Sequence, residues 1–406
     1  MRVLTFTSLF PNAVEPLLGI FVYQRLAHLA RRPGNLVQVV APVPYFPSWL
    51  RGSRWQAKAQ VPRHEQFGEL TVYHPRYPLL PRVSMPLQGL LMFLGSLSLV
   101  RRLHRRMHFD CIDAHYVYPD GFAALLLGKW LRLPVVVSAR GTDINLFPSF
   151  RLIRPMIRWT LRRAEGIVGV CAALKDAMVE LGVPPEKIRV IGNGVDAHRF
   201  EPMERRAARD KLGLPRDAPM IVAVGALIPR KGYQFLLPAL AAMAPRYPAL
   251  RLYIVGEGDF RAELENMARR LSLDDRVFLV GSRPNEELSS WYSAADVSCL
   301  VSSREGWPNV LLESLACGTP VVATKVWGVP EVLVSPELGI MVDQDSRDIA
   351  AELARALETH WDRNALVRHA RNRTWEVVAA EVENYLAECT SASPKTPAAG
   401  RNALES

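Results

Sequence analysis

Short apolar runs alternate along the chain with longer stretches in which apolar positions recur every three or four residues. The runs predict strands at Val3–Thr7, Val37–Ala41, Cys111–Ala114, Val135–Ser138, Ile167–Cys171 and Ile188–Ile191. A second set falls at Ile221–Gly225, Leu252–Gly256, Val277–Gly281, Val297–Leu300 and Val321–Thr324. Between them the periodic stretches predict helices such as Tyr233–Ala244, Arg261–Leu271 and Glu286–Ala294. Strands alternating with helices predict parallel sheets covered on both faces, and there are strands enough for two. A boundary is expected over 192–218, where the turn cluster Gly192-Asn193-Gly194-Val195-Asp196 precedes a charged stretch with Pro202, Pro215 and Pro219. The small, polar, Pro-containing residues after Cys389 predict a disordered tail.

Composition changes this picture little. The 406 residues are 49% hydrophobic and 22% charged, which fits a globular protein of two or more domains. The cysteines Cys111, Cys171, Cys299, Cys317 and Cys389 form no C-x-x-C pair, so a disulfide framework or thiolate zinc site is not expected and a reducing cytoplasm is. The N-terminus reads as a strand rather than a signal peptide.

Charge changes it more. The net charge of +10 is uneven: residues 1–195 carry 25 Lys and Arg against 11 Asp and Glu, and residues 196–406 carry 25 against 29. A basic half attracts anionic partners. It lacks aromatics interleaved in a nucleic-acid-binding motif, so no nucleic acid is expected. Pro86–Val100 is mostly apolar and runs into Arg101-Arg102-Leu103-His104-Arg105-Arg106. At about 15 residues it is shorter than the ~20 that span a bilayer. It suits either an interfacial helix on anionic lipid or a core helix with a solvated basic end. Arg151, Arg154, Arg158 and Arg162 are spaced to share one helical face.

The segment Arg304-Glu305-Gly306-Trp307-Pro308-Asn309-Val310-Leu311-Leu312-Glu313 carries the most chemistry. Gly306-Trp307 reads as a turn and Pro308 as the first helical position, so that the N–H groups of Asn309 and Val310 point out of a helix N-terminus. Glu305 precedes the helix and Glu313 lies roughly 7–8 Å into it. Two carboxylates so spaced can each accept a pair of sugar hydroxyls, although the spacing alone equally fits a capped surface helix. Gly225 to Gly232 links a strand to a helix and places Arg230 and Lys231 where a diphosphate can bind. It is not a Walker A loop. Gly256 follows another strand end. Asp343-Gln344-Asp345 mimics a metal-binding D-x-D, but Asp345 or Ser346 reads better as a helix cap. No cluster has metal-ligand spacing, so neither metal nor other cofactor is expected. In the first half, Gly19 opens a helix, and His115, Arg140 and Asp143 follow strand ends, where doubly wound sheets line their crevice.

Together these pieces resemble glycosyltransferase family 4, retaining enzymes of the GT-B fold, over about residues 1–390. Glu305 and Glu313 look like its E-x7-E motif. Gly225 to Gly232 looks like its phosphate loop, Gly281-Ser282-Arg283 like its base-contacting turn, and Asn193-Gly194-Val195-Asp196 like its interdomain segment. Gly318-Thr319-Pro320-Val321-Val322-Ala323 resembles its A-x-G-x-P-V-V-A stretch, and Trp375 to Tyr385 its returning C-terminal helix. The resemblance implies two Rossmann-like α/β domains facing a central cleft. Residues 1–195 would form the acceptor side and 196–370 the donor side, with a helix over 371–390 and a tail over 391–406.

It also implies roles. Lys231 would bind the donor diphosphate and Glu313 the ribose. Glu305 would orient the transferred sugar with backbone N–H groups of Gly306, Trp307, Pro308's neighbour Asn309, and Val310. Ser282 and Arg283 would meet the base, and His115 the donor sugar. Gly19, Arg140 and Asp143 would face the acceptor. Ala226 stands where the family usually has a phosphate-binding arginine, a charge that Arg230 or an arginine of the first domain is expected to replace. The implied reaction moves a sugar from a nucleotide-sugar, a UDP-sugar by family frequency, to a glycan or lipid-linked acceptor. The stretches Gly19-Ile20-Phe21-Val22 and His115-Tyr116-Val117-Tyr118-Pro119-Asp120-Gly121 resemble the polysaccharide-assembly branch, which implies cell-surface polysaccharide synthesis, and the basic first half with Pro86–Arg106 suits a cytoplasmic protein peripheral on the inner membrane face. A soluble transferase on a small acceptor and a catalytically silent sugar-nucleotide binder are the alternatives.

Overall fold

The computed structural model describes residues 1–45, 55–79 and 85–392. The chain forms two compact units. The described residues of 1–169, 177–189 and from 379 onward make the first, and 170–176 with 190–378 the second. The division at 189/190 lies close to the expected 195, and helix Trp375–Ala392 runs into the stretch expected as tail. The rest of the expected tail, from 393, lies outside the described residues.

The first unit is built on strands β1 (Arg2–Phe6), β2 (Leu36–Val40), β3 (Val43–Tyr45), β4 (His64–Phe67), β5 (Leu70–Tyr73), β6 (Arg76–Pro78), β7 (Cys111–His115), β8 (Val135–Ala139), β9 (Gly166–Gly169) and β10 (Ile188–Val190). Its main sheet has the order β10-β9-β8-β7-β1-β2-β5-β4, and only β4 is shown antiparallel to its neighbour. The second unit carries β11 (Met220–Val224), β12 (Arg251–Val255), β13 (Val277–Gly281), β14 (Val297–Leu300), β15 (Val321–Thr324) and β16 (Gly339–Val342) in the order β13-β12-β11-β14-β15-β16.

Both are doubly wound. From β1 the chain passes to β2 on one side and later returns to β7 on the other; from β11 it passes to β12 and later to β14. Such switch points open a crevice at the strand C-termini. The apolar runs are continuous because these strands are buried on both faces. In β11, Met220 and Val222 join one core cluster while Ile221 and Ala223 join the opposite one.

β3 to β6 and β16 lie outside the predicted set. β3 and β6 are three-residue pieces carrying Pro44 and Pro78, and β4 alternates exposed and half-buried positions, so none shows an apolar run. The segment Pro86–Arg106 combines its two open readings. Helix Gln88–Met107 buries Met92, Ser96, Val100 and Leu103, yet exposes Leu90 and Leu94 and then Arg101, Arg102, Arg105 and Arg106. No helix among the described residues is long and apolar enough to cross a membrane.

Candidate functional site

The second unit's crevice is built by two loops, after β11 and after β14. Lys231 closes the short turn Pro229–Lys231 before helix Tyr233–Met243. Gly232 makes the turn possible: its φ is +76°, and a Cβ there would sit 1.9 Å from the Val301 carbonyl oxygen. The loops are tied together by Ser303 N–H donating to Arg230 O (2.9 Å), and Gln344, from the loop after β16, braces the second by donating Nε2 to Val301 O (2.6 Å). The result sets Lys231 Nζ 2.7 Å from Glu305 Oε1, with Arg230 Nη1 3.6 Å from Oε2 and also donating to Arg304 O. Burial alone would raise the Glu305 carboxyl. Lys231 first, then Ser302 and Arg230, outweigh it and hold the group below the ordinary value.

The helix after Glu305 corrects one expectation. Pro308 is not its first residue but the cap before it, with ψ 84°, and the helix runs Asn309–Ala316. Asn309 N–H is spent on Trp307 O at 3.1 Å, which leaves Val310 N–H without a backbone partner outside the helix among the described residues. Asn309 Oδ1 accepts from Asn193 Nδ2 (3.1 Å). Trp307 packs on the core, so closely over Gly192 that a Cβ there would meet its ring at 2.4 Å. Glu313 is partly shielded on the same helix, and loss of hydration pushes its carboxyl up to about 7. Tyr292 O–H, donating to its Oε2 at 3.0 Å, works against that rise, as do Arg199 and Lys231.

The other donor-side candidates gather at neighbouring strand ends. Gly256 N–H donates to Gly281 O (2.9 Å), and a Cβ on Gly256 would meet Gly225 O at 2.0 Å. The ends of β11 and β12 therefore approach more closely than a side chain on Gly256 would allow. Ser282 continues from Gly281, while Arg283 donates to Val280 O (3.3 Å) and lies 3.9 Å from Glu287 rather than at the Lys231–Glu305 pair. Ala226 is exposed on the loop, and the arginine that reaches Glu305 is Arg230.

In the first unit the candidates meet in a buried network. Gly19 caps helix Ile20–Arg31 with φ +63°, and Arg140 lies over the ring of Phe21 at 5.6 Å. Arg140 Nη2 approaches His115 Nδ1 at 2.5 Å, and His115 Nε2 lies 3.0 Å from Asp113 Oδ2. A guanidinium only donates, so Nδ1 accepts and the ring proton sits on Nε2, donated to Asp113. His115 is fully buried, with Arg140 at one ring nitrogen and Asp113 at the other. Burial pushes it down to about 3; Arg140 and Arg25 push the same way and Asp113 opposes them only in part, so the ring is neutral. Asp113 would be raised by burial, but Arg25, at 3.2 Å from both oxygens, and then His115 hold it well below the carboxylate range. Asp143 is likewise inward. It accepts N–H bonds from Val117 (2.8 Å), Gly141 (2.8 Å) and Arg140 (3.0 Å) and shapes the loop rather than facing outward.

Several residues of these constellations carry no motif. Arg25 interrupts the buried stripe Val22, Leu26, Leu29 of its helix, and a charge on an apolar face was the available signal. Tyr292 occupies a buried stripe with Leu288 and Trp291 and gave none. Asp120 is buried against Ser8, accepting from its N–H and, at 3.1 Å, its hydroxyl. Burial pushes its carboxyl up to about 7 despite these bonds. Asp345 caps helix Ser346–Glu358 through Arg347 and Asp348 N–H groups, as expected of a cap. Among the described residues no group of three His, Cys, Asp or Glu side chains could hold a metal ion.

Comparison with known proteins matches residues 204–373 to the family model described as Glycosyl transferases group 1, and residues 21–199 to Glycosyltransferase Family 4. The chain is 36% identical over 332 residues to a D-inositol 3-phosphate glycosyltransferase of Thermomonospora curvata, covering 74% of this chain and 76% of that protein. It is 26% identical to the putative teichuronic acid biosynthesis glycosyltransferase TuaC of Bacillus subtilis, covering 87% and 89%. Among solved structures, sucrose-phosphate synthase of Thermosynechococcus elongatus superposes with TM-score 0.76 at 22% identity, covering 97% of this chain and 99% of that one. Anabaena Alr3699/HepE in complex with UDP superposes with TM-score 0.71 at 21% identity, covering 96% and 100%. At those identities the structures speak for the fold.

Proposed function

The chain belongs to the family-4 glycosyltransferases, two-domain α/β enzymes of the GT-B fold, and on that premise we propose a specific reaction. It is the retaining, metal-independent transfer of a sugar from a UDP-sugar to a lipid-linked or glycan acceptor in cell-surface polysaccharide synthesis. The observation that carries this reading is the Lys231–Glu305 pair at the switch point of β11 and β14, with Glu313 on the helix that follows.

In this reading Lys231 and Arg230 receive the diphosphate, which releases Glu305 to bind sugar hydroxyls. Glu313 takes the ribose. The acceptor oxygen attacks C1 on the face from which the diphosphate leaves. The new C1–O bond forms as the C1–O bond to diphosphate breaks, and the acceptor proton goes to a departing phosphate oxygen. The cationic pair stabilises the charge that develops there. Two similar proteins support the choice of ligands: Anabaena HepE has been solved in complex with UDP and with UDP-glucose, and TuaC is named for teichuronic acid biosynthesis. A membrane-surface location is supported by helix Gln88–Met107, whose outer side carries exposed Leu90 and Leu94 and then exposed arginines.

The test is transfer or hydrolysis of UDP-, GDP- and ADP-sugars by the wild type and Glu305→Ala, with and without EDTA. A UDP-sugar turned over in EDTA and spared by Glu305→Ala is the expected result. Turnover that survives Glu305→Ala, or none with any donor, overturns it. A second reading has its own support: the T. curvata relative is named for D-inositol 3-phosphate. A small phosphorylated polyol as acceptor would be transferred to without lipid, and the enzyme would not co-sediment with anionic vesicles.

A further inference from the structure

Apart from the strand C-termini, the second unit holds a cavity of about 620 Å³ at the opposite ends of the same strands. Met220, which opens β11, donates its N–H to Asp296 Oδ2 at 2.8 Å, and Asp296 immediately precedes β14. Lys231 and Glu305 follow the far ends of these strands, roughly 15 Å away at ~3.3 Å per residue. The cavity is therefore separate from the donor crevice.

Its lining carries a cationic excess. Five arginines and three carboxylates face it. Two of the arginines are neutralised locally, Arg206 by Asp217 (3.4 Å) and Arg216 by Asp210 (2.7 Å). Glu204 is spent on the N-terminus of helix Arg205–Leu212, where it accepts from Ala207 N–H. Asp296 is left between Arg205 (2.6 Å) and Arg209 (2.9 Å), one carboxylate for two guanidiniums. Arg209 is buried and also satisfied by the carbonyls of Ala294 and Arg216. Arg205 and Arg363 are different. Arg205 Nε is buried with no hydrogen-bond partner among the described residues. Arg363 forms no ion pair among them and donates only to Cys317 O at 3.4 Å. Two guanidiniums that repel each other, Arg205 and Arg363, are a cost, and one bridging dianion removes it. The ring of Tyr247 and the side chain of Leu357 add an apolar wall.

We infer that this cavity binds a small phosphate monoester, its phosphoryl group bridging Arg205 and Arg363 and its organic part lying on Tyr247 and Leu357. A phosphoryl group carries close to two negative charges at neutral pH and suits the planar guanidinium fork. The inference does not depend on the donor reading, because the site shares no residue with it.

Calorimetric titration of the full chain at constant ionic strength tests it, with glucose 1-phosphate, inorganic phosphate and plain glucose as probes. Saturable binding of glucose 1-phosphate is expected, tighter than phosphate, with none for glucose. It should persist in Lys231→Ala and weaken about tenfold or more in Arg363→Gln and in Arg205→Gln. Thermal unfolding of each variant confirms that it is folded, and the two arginine variants stand as independent checks. Phosphate binding as tightly as the ester would overturn the role of the apolar wall. Binding lost in Lys231→Ala, unchanged in both arginine variants, or absent from the wild type would overturn the site.

Discussion

Both units end their central strands in charged groups, but they treat those groups oppositely. In the second unit Lys231, Arg230 and Glu305 come from two loops, and Arg230 keeps 37% of its side chain exposed. In the first, Arg25, Asp113 and His115 are sealed at 2%, 0% and 0% exposure, and Arg140 is the member nearest solvent. A carboxylate that must change partners during a reaction has to sit among several cations near water. One that has to hold a neighbour in a single orientation is better buried with its bonds filled. The first unit's network therefore holds Arg140 in place, and the single tautomer of His115 points a lone pair at that guanidinium.

The largest effect should come from breaking the sealed network. Arg25→Leu leaves Asp113 buried with His115 as its remaining side-chain partner. Uncompensated buried charges cost about 3–5 kcal/mol, so urea unfolding should lose roughly that much stability. Adding Asp113→Leu should return part of it. A loss near zero for Arg25→Leu would show that water reaches Asp113 and would erase the contrast between the units.

The counterpart in the second unit should cost activity more than stability. In Lys231→Met the Glu305 carboxylate still has Arg230 at 3.6 Å, so unfolding should shift less than in Arg25→Leu. Transfer should fall by about 10²–10³, the range for removing one donor to a developing charge. Equal losses of stability in the two variants, with transfer intact, would make Lys231 a structural lysine.

This division explains what could be read from sequence. Loops that work through backbone geometry leave glycines and charged residues side by side, so Gly232, Lys231 and Glu305 stood out. Strands buried on both faces leave unbroken apolar runs, and Val297–Leu300 and Val321–Thr324 carry the same limits in the structure. Arg25 and Asp113 lie 88 residues apart and meet only through the fold. Nothing local shows that His115 stands between Arg140 and Asp113, because that depends on which atoms the fold brings to its two nitrogens. Trp307 was legible as part of a motif, yet its packing over Gly192 follows from a chain reversal that spacing does not encode.

The smallest expected effect concerns Glu313, which lies between the two patterns: shielded from water, as in the first unit, but bonded to a single hydroxyl, as befits a group awaiting a ligand. Its carboxyl is pushed up to about 7. A carboxylate accepts a pair of ribose hydroxyls, whereas the protonated acid must give up one acceptor position. Nucleotide binding should therefore be full above pH 7 and weaken as pH falls through that value, by at most about tenfold per unit. UDP titrates on its own account near pH 6, so the informative quantity is the difference between wild type and Glu313→Gln, measured by UDP affinity from pH 5.5 to 8.5. Glu313→Gln should flatten the protein's share of the slope. Tyr292→Phe removes a hydrogen bond that favours the ionised form, so its midpoint should move to higher pH while the slope remains. A midpoint unmoved by Tyr292→Phe, or a wild-type profile that Glu313→Gln does not change, would mean that Glu313 is hydrated in solution and that both units hold their working carboxylates low.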